Sequence, residues 1–410
     1  MDRAGEILQA RSLFGMELGL ARIEAMLGRL GDPQRAFRAI HVVGTNGKSS
    51  TTRFACAAVA ASGLRAGAYL SPHISGWHER VLVAQAGGLP APIDAGAFLA
   101  AVESAEAAAR AVDAERGGTC TQFEVLTAAA FVALREADVE VAVVEAGLGG
   151  RLDATNVLAA PVVVLTGVQL EHTEHLGATR EAIATEKLAV VAPGAVLVAG
   201  GMDDELEPIV QRLAAERGAA RALLLGPHAF DDDLPDLASA GVFQRGNATL
   251  ALGAAAALLG DRFDARRATA AVAKVQVPGR LEQVGRYPLV LRDAAHNPDG
   301  ARTLARELPR ALRGAAPAIG VIALLADKDV DGVLAALAPV LDAVVVTATA
   351  SDRALPADRL LAAAEAHGLA AEAVADPAAA LARARHRAGA GGAVVVCGSL
   401  TLLEALADLG

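Results

Sequence analysis

Short apolar runs alternate with longer amphipathic stretches along most of the chain. The runs are rich in Val and are little interrupted by polar residues, which is typical of parallel strands covered on both faces. The Ala-, Leu-, Glu- and Arg-rich stretches between them predict helices, in a βαβ order. In the first part of the chain this pattern predicts strands at 38–43, 139–144, 162–168 and 195–199, and helices at 48–61, 94–114, 121–136, 179–191 and 203–217.

The pattern restarts after the segment Pro278-Gly279-Arg280. We therefore predict an α/β protein of two domains, 1–280 and 281–410, each with an open, mostly parallel sheet whose ligands lie at the carboxyl ends of the strands. In the second domain the predicted strands are 288–292, 319–325, 343–349 and 393–397, and the predicted helices are 298–312, 329–340, 356–367, 376–388 and 400–408.

The composition agrees with a folded chain of two domains. Of the 410 residues, 53% are hydrophobic and 20% are charged, which indicates packed cores and not disorder. Aromatic residues make up only 3%, so the cores must be aliphatic. The net charge of −10, without any block of Lys or Arg, makes nucleic acid an unexpected partner.

We expect the protein to be cytoplasmic and monomeric, with no membrane partner. The first residues lack the basic-then-apolar order of a signal peptide, and no uncharged stretch reaches the roughly 18 residues that span a bilayer. The 3 cysteines are widely separated, which suits a reducing compartment and fits no disulfide framework.

The strongest local motif is GTNGKSS at 44–50, between a predicted strand and a predicted helix. Its glycines allow backbone amides to point at phosphate oxygens, the helix start adds a partial positive charge, and Lys48 adds a full one. A hydroxyl after the lysine can reach Mg²⁺. Val42 stands where the strict Walker pattern has glycine, so the motif is a shortened variant. An ordinary Gly-rich turn is the alternative; the strand–loop–helix context favours phosphate binding and a P-loop NTPase-like first domain.

Polar residues also follow the other predicted strands. Glu145 ends one of them, where a P-loop protein holds Mg²⁺, although a solvated glutamate is the alternative. The segment 169–177 contains His172 and His175; a histidine here could be a ligand, a base or a cap, and we assign no function to His175. Lys187 lies within a predicted helix, where a surface lysine is the default interpretation.

In the second domain, Asp293 and His296 follow the first predicted strand and could face a ligand. Asn297 and Pro298 could equally start a helix, as its N-cap and first residue. Three other classes of site are disfavoured, because the sequence has no Gly-x-Ser-x-Gly, no Cys/His zinc spacing, and no Gly-x-Gly-x-x-Gly after the first strand.

Over nearly its whole length the sequence resembles the folylpolyglutamate synthase/dihydrofolate synthase family of the Mur ligase superfamily. The blocks FEVLTAAAF at 123–131 and VVEAGLGGRLDATNV at 143–157 are the most specific, and FEVLT together with SPH separates this branch from the cell-wall ligases. The other matching blocks are LARI at 20–23, LGDPQ at 30–34, HVVGTNGKSS at 41–50, YLSPHIS at 69–75, ER at 79–80, LEHTEHLG at 170–177, EK at 186–187, Gln244, Asn247, PGRLE at 278–282, DAAHNP at 293–298, DKD at 327–329 and GSL at 398–400.

This resemblance implies a P-loop ATP-binding domain followed by a Rossmann-like ligase domain. It also implies a reaction, in which ATP phosphorylates a substrate carboxylate to an acyl phosphate and the α-amine of L-glutamate then attacks. The products are an amide, ADP and phosphate. The implied substrates are dihydropteroate, reduced folates or both, with Mg²⁺ as the metal. Such phosphoryl transfer depends on positioning and charge neutralisation.

The resemblance also assigns roles to residues. The implied catalytic residues are Lys48, His172, Lys187, Asp293 and His296, and Lys187 matches a lysine that the family carbamylates. ATP would be bound by Gly44, Thr45, Asn46, Gly47, Lys48, Ser49, Ser50, Asn247, Arg280 and Asp293. Ser50, Ser71, Glu145 and His172 would hold the metal, and His296 and Ser399 would lie near substrate.

Some residues depart from the family pattern. Ser49 stands where the family usually has glycine, so Ser49 and Ser50 compete for the Mg²⁺-facing role: alignment favours Ser50 and Walker spacing favours Ser49. Glu171 replaces the usual aspartate, Ala146 replaces valine, and residues 188–190 differ from the usual Ala-Gly-Ile. The alternatives are a Mur-type ligase with another carboxylate acceptor and a nucleotide-binding protein without catalysis; the presence of the implied catalytic residues counts against the latter.

Overall fold

A computed structural model describes residues 3–12, 19–171, 173–227, 229–230 and 233–408. The chain forms two compact units: Met1–Ala238 with Gln244–Val275, and Ser239–Phe243 with Gln276–Gly410. The predicted domain boundary at residue 280 stays a prediction beside this division.

The first unit alternates strands and helices as the apolar pattern predicts. Its helices are α1 (Arg3–Gln9), α2 (Ala21–Arg29), α3 (Lys48–Ala61), α4 (Ala95–Arg116), α5 (Gln122–Glu136), α6 (Thr173–Leu176), α7 (Arg180–Leu188), α8 (Leu206–Glu216), α9 (Phe243–Leu259) and α10 (Ala265–Val272). Its strands are β1 (Arg38–Val43), β2 (Ala66–Tyr69), β3 (Val81–Ala84), β4 (Ala91–Pro92), β5 (Val141–Glu145), β6 (Val162–Leu165), β7 (Val196–Ala199) and β8 (Arg221–Leu224).

These eight strands form one sheet in the order β4-β3-β2-β5-β1-β6-β7-β8. Six neighbouring strands of this sheet, β2, β5, β1, β6, β7 and β8, pair in parallel, as predicted. At one edge, however, β3 pairs antiparallel with β2, and β4 pairs antiparallel with β3. The short connection at 70–80 explains this difference, because a parallel crossover needs a dozen or more residues.

Helix α5 packs the sequence block FEVLTAAAF into the core of the first unit. It begins with a capping box, in which Thr121 and Glu124 bond reciprocally to each other's backbone amides. One turn later, Thr127 Oγ1 lies 3.1 Å from the buried hydroxyl of Tyr69, at the end of β2. The block is therefore tied to the strand that leads into the YLSPHIS segment.

The second unit contains a smaller sheet of six strands, in the order β13-β12-β11-β14-β10-β9, with only β9 antiparallel to its neighbour. The strands are β9 (Glu282–Arg286), β10 (Leu289–Arg292), β11 (Ala318–Ile322), β12 (Ala343–Val346), β13 (Ala371–Ala373) and β14 (Ala393–Cys397). The helices are α11 (Pro298–Leu312), α12 (Val330–Leu337), α13 (Ala357–Ala366), α14 (Pro377–Ala388) and α15 (Leu400–Ala405).

The predicted start of α11 is confirmed. Asn297 is its N-cap and accepts a hydrogen bond from Gly300 N at 2.7 Å, and Pro298 occupies the first helical position. Within the described part of the chain, no helix is both long enough and apolar enough to cross a membrane.

Candidate active site

The candidate site of the first unit lies where four neighbouring strands end. Strands β2, β5, β1 and β6 are adjacent and parallel, so their carboxyl ends meet at one edge of the sheet. Ser71 follows β2, Glu145 ends β5, the loop 44–47 follows β1, and Thr166 follows β6. Such an edge is where open parallel sheets bind ligands.

Two positions in the loop after β1 can be occupied only by glycine. Gly44 has φ +148°, and a Cβ there would lie 2.0 Å from Thr166 Oγ1. Gly47 has φ +86°, and a Cβ there would lie 2.4 Å from Asn247 Oδ1. The Thr166 hydroxyl also donates to Asn46 O at 2.6 Å, so the loop is held from the next strand. A loop with this backbone, ending at the start of α3, has the form of a phosphate-binding loop.

Lys48 is the first residue of α3, and its ammonium group lies against the same loop. Its Nζ donates to Gly44 O at 3.0 Å and to Thr45 O at 3.1 Å. Thr45 is fixed in turn, because its Oγ1 accepts a hydrogen bond from Gln169 N at 3.1 Å. A positive charge therefore stands at the loop, as phosphate binding requires.

Lys187 is buried, so the default interpretation as a surface lysine is wrong. Its side chain reaches from α7 to the phosphate-binding loop, where Nζ donates to Gly44 O at 2.8 Å. The pKa of Lys187 is lowered to about 7, mainly by burial and also by the charge of Lys48, while Glu171 and Asp153 act in the opposite direction. The amine of Lys187 is thus partly neutral near neutral pH.

Glu145 is buried as well, so it is not a solvated residue at a strand end. Its Oε1 accepts a hydrogen bond from Ser49 Oγ at 2.9 Å, and its Oε2 accepts one from Ser71 N at 3.1 Å. The hydroxyl of Ser50, by contrast, is buried without a hydrogen-bond partner. The structure therefore brings Ser49, the position that Walker spacing favours, to Glu145; metal contact by either serine stays a prediction.

The donor set at this edge suits a hard divalent cation. The carboxylate of Glu145 and the hydroxyls of Ser49 and Ser71 are oxygen donors, which Mg²⁺ prefers. His172 lies outside the described residues, as does the side chain of His175. In the described part of the chain, no group of three His, Cys, Asp or Glu side chains could hold a metal ion. The predicted metal set is thus represented here by Glu145 and serine oxygens.

The segment after Glu145 connects this carboxylate to the helix of Lys187. A Cβ on Gly150 would lie 2.7 Å from Lys187 O, so the loop rests directly on the backbone of α7. Asp153, which is buried, accepts hydrogen bonds from Leu148 N at 2.8 Å and Thr155 N at 3.0 Å and fixes the loop internally. Close backbone contact explains the glycine at position 150, whereas a Cβ on Gly147 would lie 2.6 Å from the ring of Phe123.

Sequence reasoning missed His41, a fully buried residue of β1. Its Nε2 lies 2.8 Å from Thr155 Oγ1, which in turn donates a short hydrogen bond to Asp153. Burial lowers the pKa of His41 to about 4, so the ring is neutral at neutral pH. The available signal was a histidine inside an otherwise apolar strand.

In the second unit, Asp293 and His296 lie in the loop between β10 and α11. The carboxylate of Asp293 is buried and accepts hydrogen bonds from Leu281 N at 2.9 Å and Ala295 N at 2.8 Å. Burial raises its pKa, although the charge of Arg280 acts in the opposite direction. His296 Nδ1 lies 2.8 Å from Ala294 O. The predicted group of Arg280, Asp293 and His296 is therefore gathered at one end of this sheet.

Ser399 lies after the adjacent strand β14 and has a structural task. It is the N-cap of α15, and its Oγ accepts a hydrogen bond from Leu402 N at 3.0 Å. The same oxygen lies 2.8 Å from Thr401 Oγ1. Its predicted place near substrate stays a prediction beside this capping role.

Comparisons with known proteins agree with this architecture. Residues 279–400 match the family model "Mur ligase, glutamate ligase domain". The dihydrofolate synthase/folylpolyglutamate synthase of Mycobacterium tuberculosis (strain ATCC 25618 / H37Rv) is 37% identical over 411 residues, covering 90% of this chain and 83% of that relative.

Two solved structures share the fold over almost the whole chain. Escherichia coli FolC in complex with DHPP and ADP has a TM-score of 0.84 and 29% identity, covering 98% of this chain and 96% of the other. The bifunctional synthase of Yersinia pestis, complexed with AMPPNP and Mn ion, has a TM-score of 0.80 and 29% identity, covering 96% and 94%. The chain therefore belongs to the dihydrofolate synthase/folylpolyglutamate synthase family, whose members are ATP-dependent glutamate ligases of folate metabolism.

Proposed function

We propose that this protein uses ATP and Mg²⁺ to join L-glutamate to the carboxyl group of dihydropteroate, of a reduced folate, or of both. The γ-phosphoryl group of ATP passes to the acceptor carboxylate, which gives an acyl phosphate and ADP. The α-amine of glutamate then forms the amide bond, and phosphate leaves. The observation that carries the proposal is the loop at 44–47, with Lys48 and Lys187 both bonded to Gly44 O.

The phosphate-binding edge supports the first half of the reaction. Phosphoryl transfer requires the phosphates to be held in place while negative charge is neutralised. Gly44 and Gly47 carry no side chain at the two tight positions of the loop, and Lys48 supplies a positive charge beside it. The solved relatives named above contain ADP or AMPPNP, which agrees with a nucleotide at this loop.

A divalent cation fits the oxygen donors of the same edge. Glu145 and Ser49 would hold it, together with Ser71 and, by the family pattern, His172. When bound, Mg²⁺ supplies positive charge beside the phosphates. In the described structure Ser49 Oγ and Ser71 N both bond to the Glu145 carboxylate, which fixes the direction of its oxygens.

We also propose that Lys187 is carbamylated, because it matches a lysine that the family carbamylates. The ammonium group first loses one proton, and the neutral Nζ then attacks CO₂. An N–C bond forms as one C–O π bond of CO₂ breaks, and loss of a second proton leaves an anionic carbamate in place of the original cation. The lowered pKa of about 7 supplies the neutral amine that this step needs. Incubation with ¹³C-bicarbonate should give a carbamate signal in the NMR spectrum of the wild type and none in Lys187→Arg. An equal signal in both would place the carbamate elsewhere.

Asp293, His296 and Arg280 are proposed to contact nucleotide or substrate, because the family pattern places such residues in the ligase domain. The carboxylate of Asp293 is buried, and its two backbone hydrogen bonds tie its loop to the segment that contains Leu281. Ser399 is proposed for the same group, beside its role as a cap.

The decisive experiment measures phosphate release with ATP, Mg²⁺ and L-glutamate. Three reactions are compared, with 7,8-dihydropteroate, with tetrahydrofolate, and with no acceptor. Turnover with dihydropteroate assigns the protein to folate synthesis, and turnover with tetrahydrofolate assigns polyglutamylation to it. Silence with both pterins would overturn the acceptor assignment and direct the search to other carboxylic acids.

The acyl phosphate is tested separately with hydroxylamine in place of glutamate. Hydroxylamine attacks an acyl phosphate, so a hydroxamate of the acceptor should form with ATP and not with ADP. Amide synthesis without any hydroxamate would count against this intermediate.

A further inference from the structure

Gln244 is a buried amide that the proposed reaction does not use. It is the second residue of α9 and has no exposed surface. Its Oε1 accepts a hydrogen bond from Asn247 Nδ2 at 3.0 Å, whereas its own Nε2 is buried without a partner. An unpartnered buried NH₂ group destabilises a fold, so stability alone would favour an apolar residue here.

The carbonyl end of Gln244 can account for its presence. Residues three apart on a helix lie on the same face, which brings Gln244 next to Asn247. The two ends of an asparagine amide differ, since the oxygen only accepts hydrogen bonds and the NH₂ group only donates them. An accepting oxygen at Gln244 therefore selects the orientation in which Asn247 turns its NH₂ group toward Gln244.

This orientation places the other end of Asn247 at the phosphate-binding loop. Asn247 Oδ1 lies over Gly47, at 2.4 Å from the point where a Cβ would be. Gly47 is the last residue before α3 and has φ +86°, so its backbone depends on the absence of a side chain. The side chain of Asn247 thus covers the loop at the residue where the helix begins.

We infer that Gln244 is a positioning residue for nucleotide binding, which acts by holding the amide of Asn247 in one orientation above Gly47. This inference rests on the proposed function, because it requires a nucleotide at the loop. Gln244 itself is too deeply buried to contact a ligand, so its effect must pass through Asn247.

The test measures the dissociation constant for ADP by titration calorimetry on the full chain. Gln244→Met keeps the length of the side chain and removes the acceptor, so ADP binding should weaken about three- to tenfold, the value of one hydrogen bond. Thr249→Val is the matched control, since Thr249 is buried in the same helix and donates to Pro227 O at 3.1 Å. It should leave the dissociation constant within about twofold.

A double-mutant cycle tests the route through Asn247. In an Asn247→Ala background, Gln244→Met should cause no further weakening of ADP binding. Additive losses, or an equal loss in Thr249→Val, would overturn the inference, because either result indicates general loosening of α9. If Gln244→Met fails to fold, Gln244→Asn replaces it, since its amide is one methylene too short.

The outcomes separate this inference from the proposed function. Failure of the wild type to bind ADP would contradict nucleotide binding itself. A wild type that binds ADP, together with a folded Gln244→Met that binds it equally well, would overturn the positioning role alone.

Discussion

The carboxyl ends of the two sheets carry polar residues in the same topological position, yet these residues bond in different ways. In the first sheet, side chains reach across elements: Ser49 of α3 bonds to Glu145 of β5, and Lys187 of α7 bonds to the loop after β1. In the second sheet, Asp293 and Ser399 bond mainly to backbone amides: Asp293 to those of Leu281 and Ala295, and Ser399 to that of Leu402.

The polar side chains of the two sheets therefore have different tasks: those of the first form a site from several elements, and those of the second stabilise backbone segments. The edge of the first sheet has charged and hydroxyl groups gathered around the loop at 44–47. No single helix or strand needs these groups for its own stability, so their arrangement points to a chemical use. The edge of the second sheet has polar groups that keep turns and helix starts in place, so their side chains serve the fold whatever else they contact. Mutations should therefore affect chemistry first in one region and stability first in the other.

The largest effect is expected for Lys48→Ala. Removing the fixed charge at the phosphate-binding loop should lower ATP-dependent ligation by about 10²–10³ while the thermal unfolding midpoint stays close to that of the wild type. Phosphate release and circular dichroism measure the two quantities. The exposed Lys274→Ala is the matched control, and a folded, fully active Lys48→Ala would remove the loop from the proposed reaction.

The pH dependence of stability should be concentrated in the first unit, because β1 holds a buried neutral histidine. The folded-state pKa of His41 is lowered from 6.5 to about 4, so its contribution is fully present above pH 6.5. As pH falls from 6.5 to 4, the unfolded chain binds the proton first, and up to about 3 kcal/mol of unfolding free energy is lost.

Urea unfolding followed by the fluorescence of Trp77, the chain's 1 tryptophan, measures this loss in the first unit. His41→Gln should flatten the dependence between pH 4 and 6.5, whereas the exposed His386→Gln should leave it unchanged. An unaltered slope in His41→Gln would assign the pH dependence to other groups.

Glu145→Gln should raise the Mg²⁺ concentration needed for half-maximal activity by about tenfold or more, because a charged oxygen donor is replaced by a neutral amide. Direct titration with Mn²⁺, read by electron paramagnetic resonance, checks the same change without turnover. Glu140→Gln alters a carboxylate just before the opposite end of β5 and should have no effect. Unchanged Mn²⁺ affinity in Glu145→Gln would exclude this carboxylate from the metal site.

Ser49 and Ser50 form a natural pair for a smaller effect. Ser49→Ala removes the hydroxyl that bonds to Glu145, and it should raise the Mg²⁺ requirement roughly threefold to tenfold. Ser50→Ala removes a buried hydroxyl without a partner and should leave the requirement unchanged. The reverse order would restore the assignment that family alignment favours.

The smallest change is expected for Ser399→Ala, which should lower the stability of the start of α15 by about 1 kcal/mol through loss of its cap. Hydrogen exchange of the α15 amides reports this loss. Ser399→Asp keeps a capping oxygen and should restore the protection of the α15 amides from exchange. If Ser399→Ala also lowers turnover and Ser399→Asp restores it, the residue acts as a cap alone. Unchanged exchange in Ser399→Ala would contradict the capping role.

The sequence predicts most of the fold because its central strands are unbroken runs of β-branched residues. β1 and β14 lie at the predicted residues, and β5 and β6 differ only at their ends. β2 escaped prediction because Ala-Gly-Ala-Tyr has no strand preference of its own; its position between β3 and β5 makes it a strand. α9 escaped because it is buried on nearly every side and has no polar face to mark its period.

The candidate site was predictable as far as motifs identify residue types. GTNGKSS and Glu145 could be placed at strand ends, and parallel pairing then brings those ends together. The burial of Lys187 was not predictable, because it depends on how α7 lies against the loop containing Gly150. Nor could spacing distinguish Ser49 from Ser50, since successive helical residues point in different directions and only the packed neighbours decide which one meets Glu145.

The strands at the margins of both sheets bear on solubility. β4 consists of two residues, one of which is Pro92, and proline has no amide hydrogen to offer another strand. β13 has three residues, and its central Glu372 is paired with Arg383 and Arg387. A neighbouring molecule would find few free amides and a cluster of charges at these margins. An apolar, alanine-rich chain that exposed long bare margins would be prone to strand-to-strand aggregation, and these two margins oppose it.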